Sequence, residues 1–252
     1  MIKLKNITKI YGEKKVVDEV TLDLPKNKLI AFIGSNGAGK STLISIISRT
    51  LARNSGEVFI DDVELKDWKN SELSKRLAIL RQSNHLNIRL TVRDLVSFGR
   101  YPHSKGKLTA DDTIHINNAL EYLELTRLQD RFLDELSGGQ RQLAYIAMVI
   151  AQDTEYIFLD EPLNNLDMNH SVQIMKILKR LVDELGKTVM IVIHDINFVS
   201  CYADYIIAMK NGTIASVGDT KDIMQTKVLK EIYNMDIDIR QIDGRNICLY
   251  YS

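Results

Sequence analysis

The feature that most constrains this chain is the nine-residue run 34–42, GSNGAGKST, set between the apolar run 29–33 and the helix-forming run LISIISRTL. A strand, a glycine-rich loop and a helix in that order leave the backbone little choice. The glycines let the loop curl so that successive N–H groups and the helix N-terminus face one point, which is what a desolvated polyanion requires. Gly34, Ser35, Asn36, Gly37, Ala38, Gly39, Lys40, Ser41 and Thr42 together meet the pattern G-x-x-x-x-G-K-[ST], so they are expected to cradle the phosphates of a nucleotide. Within the loop, Lys40 supplies a point charge for the β- and γ-phosphate oxygens, and the Ser41 hydroxyl is placed to ligate Mg²⁺.

Around the loop, short apolar runs alternate with helix-period segments: 29–33, 42–51, 77–81, 137–151, 156–159, 171–185 and 188–193. That alternation predicts βα units around a largely parallel sheet. Residues 2–7, 16–24 and 57–65 alternate in the strand manner, the last around the turn pair Asp61-Asp62, which predicts an antiparallel β layer beside the core. From about 90 to 151 the pattern is almost only helical, as in 111–125 with apolar Ile114, Ile116, Leu120, Leu123 and Leu125. The expected fold class is therefore α/β, with a mainly parallel sheet core, an antiparallel β layer and an inserted helical subdomain. The core is expected over about 1–85 and 152–252 and the helical subdomain over about 86–151.

Composition removes several classes. Lys+Arg 33 balance Asp+Glu 33, so no overall basic field exists to hold a nucleic acid, and nucleic acid is not an expected partner. Cys201 and Cys248 stand far apart with no CxxC or CxxH spacing. A reducing compartment and no thiolate metal site follow, with both cysteines read as structural. The start, MIKLKNITKIYG, resembles no signal peptide, and the richest apolar runs fall far short of the ~20 residues that cross a bilayer. Membrane contact is expected to come through a partner.

A second strand, 156–159, ends in Asp160-Glu161. Open α/β sheets bind ligands at the C-terminal ends of their parallel strands, so Asp160 is a candidate Mg²⁺ residue. Glu161 is a candidate general base for the water that attacks a γ-phosphate.

The string LSGGQ at 136–140 turns a generic phosphate-loop protein into one that resembles the ABC transporter ATPases. Its physical logic stands beside the resemblance. Ser137, Gly138 and Gly139 open the helix that continues from Gln140, making a second anion-binding helix N-terminus. One chain with one ATP already has its cradle, so the second is expected to close over the ATP of another subunit in a head-to-tail homodimer.

The resemblance covers nearly the whole chain and implies further roles. Tyr11 resembles the aromatic that stacks on adenine. Gln82 resembles the glutamine that touches Mg²⁺ and the nucleophilic water and flexes towards the membrane partner, and His194 resembles the switch histidine that hydrogen-bonds the γ-phosphate. Asp167 resembles the residue that reaches across the dimer, with a helix cap as the competing explanation. The implied catalytic set is Glu161, His194 and Gln82, the metal set Ser41, Gln82 and Asp160, and the cofactors ATP and Mg²⁺. Two departures stand out: Leu143, where many relatives carry Arg or Lys, and Asn164-Asn165, which replaces a commoner Ser-Ala.

The strings TVRDLV at 91–96 and FGRYPH at 98–103, with LDEPLNNLD and VIHDIN, resemble the ATPases that serve iron-siderophore, haem and cobalamin permeases. An ATPase for iron-chelate import is the expectation. It would lie peripherally on the cytoplasmic face of the membrane, with two permease subunits or a permease dimer and an extracytoplasmic substrate-binding protein. Haem, cobalamin or another solute is the alternative cargo. A soluble ABC ATPase acting on DNA or the ribosome would show coiled-coil insertions or tandem halves, and a metabolic kinase has no use for LSGGQ. The segment 86–103 is expected to face the permease, with Arg100 and Tyr101 at an exposed helix end. The tail 237–252 is expected to form a strand or two rather than a regulatory barrel.

Overall fold

The computed structural model describes residues 1–82 and 88–250, which form two compact units, 1–68 with 178–252 and 69–177. The first unit opens with β1 (Ile2–Tyr11) and β2 (Lys14–Leu24), followed by β3 (Leu29–Ile33), α1 (Lys40–Ile47), β4 (Ser55–Ile60) and β5 (Val63–Glu64). Alternation buries Ile2 and Leu4 on one face of β1, and the antiparallel order β2-β1-β4-β5 forms the expected layer. All five residues of β3 are buried, as a parallel strand covered on both faces demands. Helix α1 stops four residues short of the expected Leu51. Arg49 takes the left-handed conformation at φ 60, and its guanidinium donates to the carbonyls of Trp68 at 2.6 Å and Lys66 at 3.4 Å.

The second unit holds α2 (Asn70–Leu73), β6 (Leu77–Leu80), α3 (Val92–Phe98), α4 (Tyr101–Ser104), α5 (Ala110–Tyr122), α6 (Gly138–Ala151) and β7 (Tyr156–Asp160). Strands β6 and β7 pair in parallel. Helices α3, α5 and α6 each start at a residue whose side chain caps the first turn reciprocally with the third helical residue: Thr91 with Asp94, Thr109 with Asp112, Ser137 with Gln140. Each cap satisfies donors that an uncapped helix start leaves open. Of the apolar face expected on 111–125, Ile116, Leu120, Leu123 and Leu125 are buried, whereas Ile114 is exposed. Leu143 is buried on α6, which explains an apolar residue there in place of a charged one.

Arg100 corrects an expectation. Tyr101 is 62% exposed, but Arg100 is only 3% exposed. Its Nε donates to Asp112 at 2.8 Å and its Nη1 to the Ala151 carbonyl at 2.9 Å, tying the start of α5 to the end of α6. A residue at a helix end is exposed only if nothing packs over it, and here Asp112 and Ala151 do. His103 adds a ring-nitrogen hydrogen bond of 3.0 Å to the Gln152 carbonyl, so most of the polar groups in GRYPH serve packing.

Helix α7 (Met168–Asp183) carries the chain back to the first unit, which continues through β8 (Thr188–Val192), α8 (Ile196–Tyr202), β9 (Tyr205–Lys210), β10 (Thr213–Asp219), α9 (Thr220–Ile223), α10 (Thr226–Tyr233), β11 (Asp238–Ile242) and β12 (Arg245–Leu249). Strand β3 pairs in parallel with β8 and β9, and β10 adds to β9 antiparallel. Strands β9 and β10 were not among the expected elements. They join through Asn211 and Gly212, both at positive φ, the combination that a tight hairpin turn needs. The tail forms the hairpin β11–β12, fastened to α8 by Asn197, which donates to the Cys248 carbonyl at 3.3 Å and accepts from its N–H at 2.7 Å. Cys248 is buried and Cys201 half-buried, both as free thiols. Burial pushes the Cys248 thiol up to about 11, in keeping with an unreactive packing residue. Among the described residues, no helix is long and apolar enough to cross a membrane.

Candidate functional site

In the first unit, the glycine-rich loop 34–42 is shaped by close approaches. A side chain at Gly34, φ 134, would overlap the Met209 carbonyl, and one at Gly39, φ 100, would overlap the Val16 carbonyl. Lys40 is 5% exposed and folds back over the loop, its Nζ donating to the carbonyls of Gly34 at 2.8 Å and Ser35 at 3.0 Å. The N-cap of α1 is Gly39, which supplies no side-chain acceptor, and no acidic residue lies in the first turn. An incoming anion therefore meets neither a competing acceptor nor a repelling charge there.

Tyr11 ends β1 with 51% of its surface exposed. The Lys9 ammonium lies 5.2 Å from the ring centroid and also donates to the Ala52 carbonyl at 2.7 Å, which leaves the ring supported by a neighbouring cation. His194 is exposed just beyond β8. The next residue, Asp195, accepts from the backbone N–H groups of Asn197 at 2.8 Å and Phe198 at 3.2 Å, which caps α8 and shapes the turn that holds His194.

In the second unit, Asp160 closes β7 and Glu161 follows at φ 50, a left-handed conformation uncommon outside glycine. The Gln82 amide donates to Glu161 Oε2 at 2.7 Å, and the Asn164 amide donates to the same oxygen. Two residues expected to act on one water, Gln82 and Glu161, are thus brought together. Asn164, seen in the sequence only as a departure, proves to be a partner of the acid. The signal was available in residue type and spacing: an amide three residues after a carboxylate can donate back to it.

Ser137 caps α6, its Oγ accepting from the Gln140 N–H at 3.2 Å while the Gln140 side chain accepts from the Ser137 N–H at 3.1 Å. The Ser137 hydroxyl accepts in this bond, so its own hydrogen can still be donated. Asp167 does cap α7: Oδ1 accepts from the His170 N–H and Oδ2 from His170 Nδ1, both at 2.8 Å. Those donors, the backbone N–H first, hold the Asp167 carboxyl below the usual range. His170 was not singled out in the sequence. Tyr11, the loop 34–42 and His194 belong to the first unit, and Gln82, Asp160, Glu161, Asp167 and 137–140 to the second. Of the segment 86–103, Leu86 lies outside the described residues.

A glycine-rich G-x-x-x-x-G-K-[ST] loop between a strand and a helix, an acid pair at the end of a parallel strand and a second uncharged helix start in one chain define a class. The ABC transporter family model matches residues 17–164, and the chain belongs to that family as an ATP-binding subunit with ATPase activity. It is 58% identical, over the full length of both chains, to the petrobactin import ATP-binding protein YclP of Bacillus subtilis (strain 168). It is also 37% identical over 246 residues to the iron(3+)-hydroxamate import ATP-binding protein FhuC of the same organism, covering 96% of this chain and 91% of that one. Among solved structures, the dimeric post-hydrolysis state of the ATP-binding cassette MJ0796 bound to ADP and Pi aligns with a TM-score of 0.76 and 30% identity, over 87% of this chain and 99% of that one.

Proposed function

We propose that this chain powers the uptake of iron–siderophore complexes by hydrolysing ATP at the cytoplasmic face of a membrane, docked on a permease that a separate chain supplies. The import names of the two relatives favour iron chelates over haem or cobalamin. In the full system an extracytoplasmic binding protein presents the chelate, and the segment 86–103, within the helical part of about 86–151, faces the permease. That division, with a core over about 1–85 and 152–252, follows function: α3 to α6 fall within the helical part.

The single observation that carries the hydrolytic reading is the Gln82 amide on Glu161. Amide donors anchored on one carboxylate oxygen orient the group, as a base that takes a proton from an attacking water requires. The loop 34–42 holds the phosphates with Lys40 as the charge, Tyr11 stacks on the adenine and His194 hydrogen-bonds the γ-phosphate. Ser41, Gln82 and Asp160 are oxygen donors, the kind that suits Mg²⁺. An amide binds a hard cation through its oxygen, so the Gln82 oxygen would serve a cation while its nitrogen donates to Glu161. A bound Mg²⁺ would neutralise charge on the β- and γ-phosphate oxygens.

Ser137, Gly138, Gly139, Gln140 and Asp167 act on the nucleotide of a second copy, a reading supported by the dimeric arrangement of the MJ0796 cassette. Hydrolysis per chain should then rise with protein concentration. A Lys40→Ala chain mixed with a Ser137→Ala chain should recover one working site of two, because each defect falls in the same composite site. A rate strictly proportional to chain concentration, with no gain on mixing, would show self-contained sites.

A further inference from the structure

We propose that His170 is a positioning residue that locks the Asp167 loop to helix α6 within each chain, so that the two elements meeting the partner's nucleotide move as one. The proposal rests on the shared-site reading above and assigns the mechanical link inside one half of that site.

The geometry is confined to the second unit. Asp167 is held at both carboxylate oxygens by one residue, through the backbone N–H and the ring Nδ1 of His170. An ionised carboxylate only accepts, so Nδ1 carries the hydrogen and the ring's orientation is set. The other edge of the same ring lies against α6. A Cβ built on Gly139 would overlap His170 Cδ2 and Cγ and come within 2.6 Å of Nε2. Capping alone explains the bond from the His170 backbone; it does not call for an imidazole pressed onto the next element.

The neighbouring glycine sharpens the point. Gly138 would meet nothing within 4 Å among the described residues, so its own chain places no steric demand there. Gly139 is buried and its lack of a side chain is required by His170. The two glycines of one motif therefore answer to different surfaces, one turned outward and one turned to the Asp167 loop. A loop pinned to a capped helix by packing on one side and two hydrogen bonds on the other cannot shift alone without opening a gap or leaving donors unpaired.

The test uses the full chain carrying Glu161→Gln, in which ATP is expected to trap the dimer. Dimer dissociation is followed by sedimentation, and nucleotide affinity of the dilute single chain by titration with a fluorescent ATP analogue. His170→Ala should weaken the ATP-driven dimer about tenfold while single-chain nucleotide affinity and Tm stay close to the parent. His170→Asn, which keeps a donor, and His170→Phe, which keeps a ring, should each fall short of the parent, since either restores half of the link. A parent-like dimer in His170→Ala, or one in His170→Phe, would overturn the proposal, as would a fall in single-chain affinity matching the fall in dimerisation. Ser137→Ala in the same background is the control: if it too leaves the dimer intact, the shared-site reading is wrong and the positioning role falls with it.

Discussion

Glu161 occupies a backbone conformation that costs a non-glycine residue of order 1 kcal/mol or more, and Gln82 and Asn164 hold its carboxylate there. Such strain persists where surrounding groups over-determine it. Replacement by Gln keeps the shape but removes the proton acceptor, so Glu161→Gln should bind ATP and complete at most one turnover, leaving a trapped dimer. Steady-state phosphate release within a few-fold of the parent would remove Glu161 from the role. At this scale much was legible: strand end, acid pair and phosphate loop are strings of adjacent residues. The amide clasp was not, because Gln82 and Glu161 stand 79 residues apart and no local pattern links them.

Helix starts were legible too, since a Ser or Thr with an acid or amide three residues on carries its own capping chemistry. What the helices do to one another was not. Arg100 looks from the sequence like a docking residue, yet its partners lie 12 and 51 residues away in α5 and at the end of α6. Truncating one member of a buried pair leaves the other uncompensated, so Arg100→Ala should destabilise the second unit by about 3 kcal/mol or more, read as a lowered denaturation midpoint. Backbone and side-chain donors of Thr109 and the Arg100 guanidinium hold the Asp112 carboxyl down at about 2. Its stabilising contribution is therefore complete above the ordinary carboxyl value of 3.8 and is lost as the pH falls from there towards 2. Acid titration of the parent should show that loss, and Arg100→Ala should blunt it; an unchanged acid profile would put the stabilisation elsewhere. The hairpin β9–β10 stands outside the expected strands although Asn211-Gly212 marks its turn; β10 has no fully buried residue and offers no continuous apolar run.

Coupling to a membrane partner belongs to the whole molecule. With Arg100 committed to packing, Tyr101 is the exposed member of that pair, and Tyr101→Ala should leave nucleotide binding and basal hydrolysis near the parent while weakening permease docking and growth on ferric chelates as sole iron source. Normal docking and full uptake would move the coupling surface elsewhere on the helical segment. The sequence by itself determined whatever rests on near neighbours: the phosphate loop, the βα alternation, the second helix start at 137–140 and the family they signal. Each is a pattern of backbone freedom and apolar period within a short stretch, so it survives without knowledge of the fold. The tertiary structure alone decided which distant side chains share a hydrogen bond or a packing gap: Gln82 and Asn164 on Glu161, Arg100 between Asp112 and Ala151, His170 against Gly139. Those pairings follow from how packed elements bring buried polar groups within reach of one another, and the cost of leaving such groups unpaired is what makes them specific.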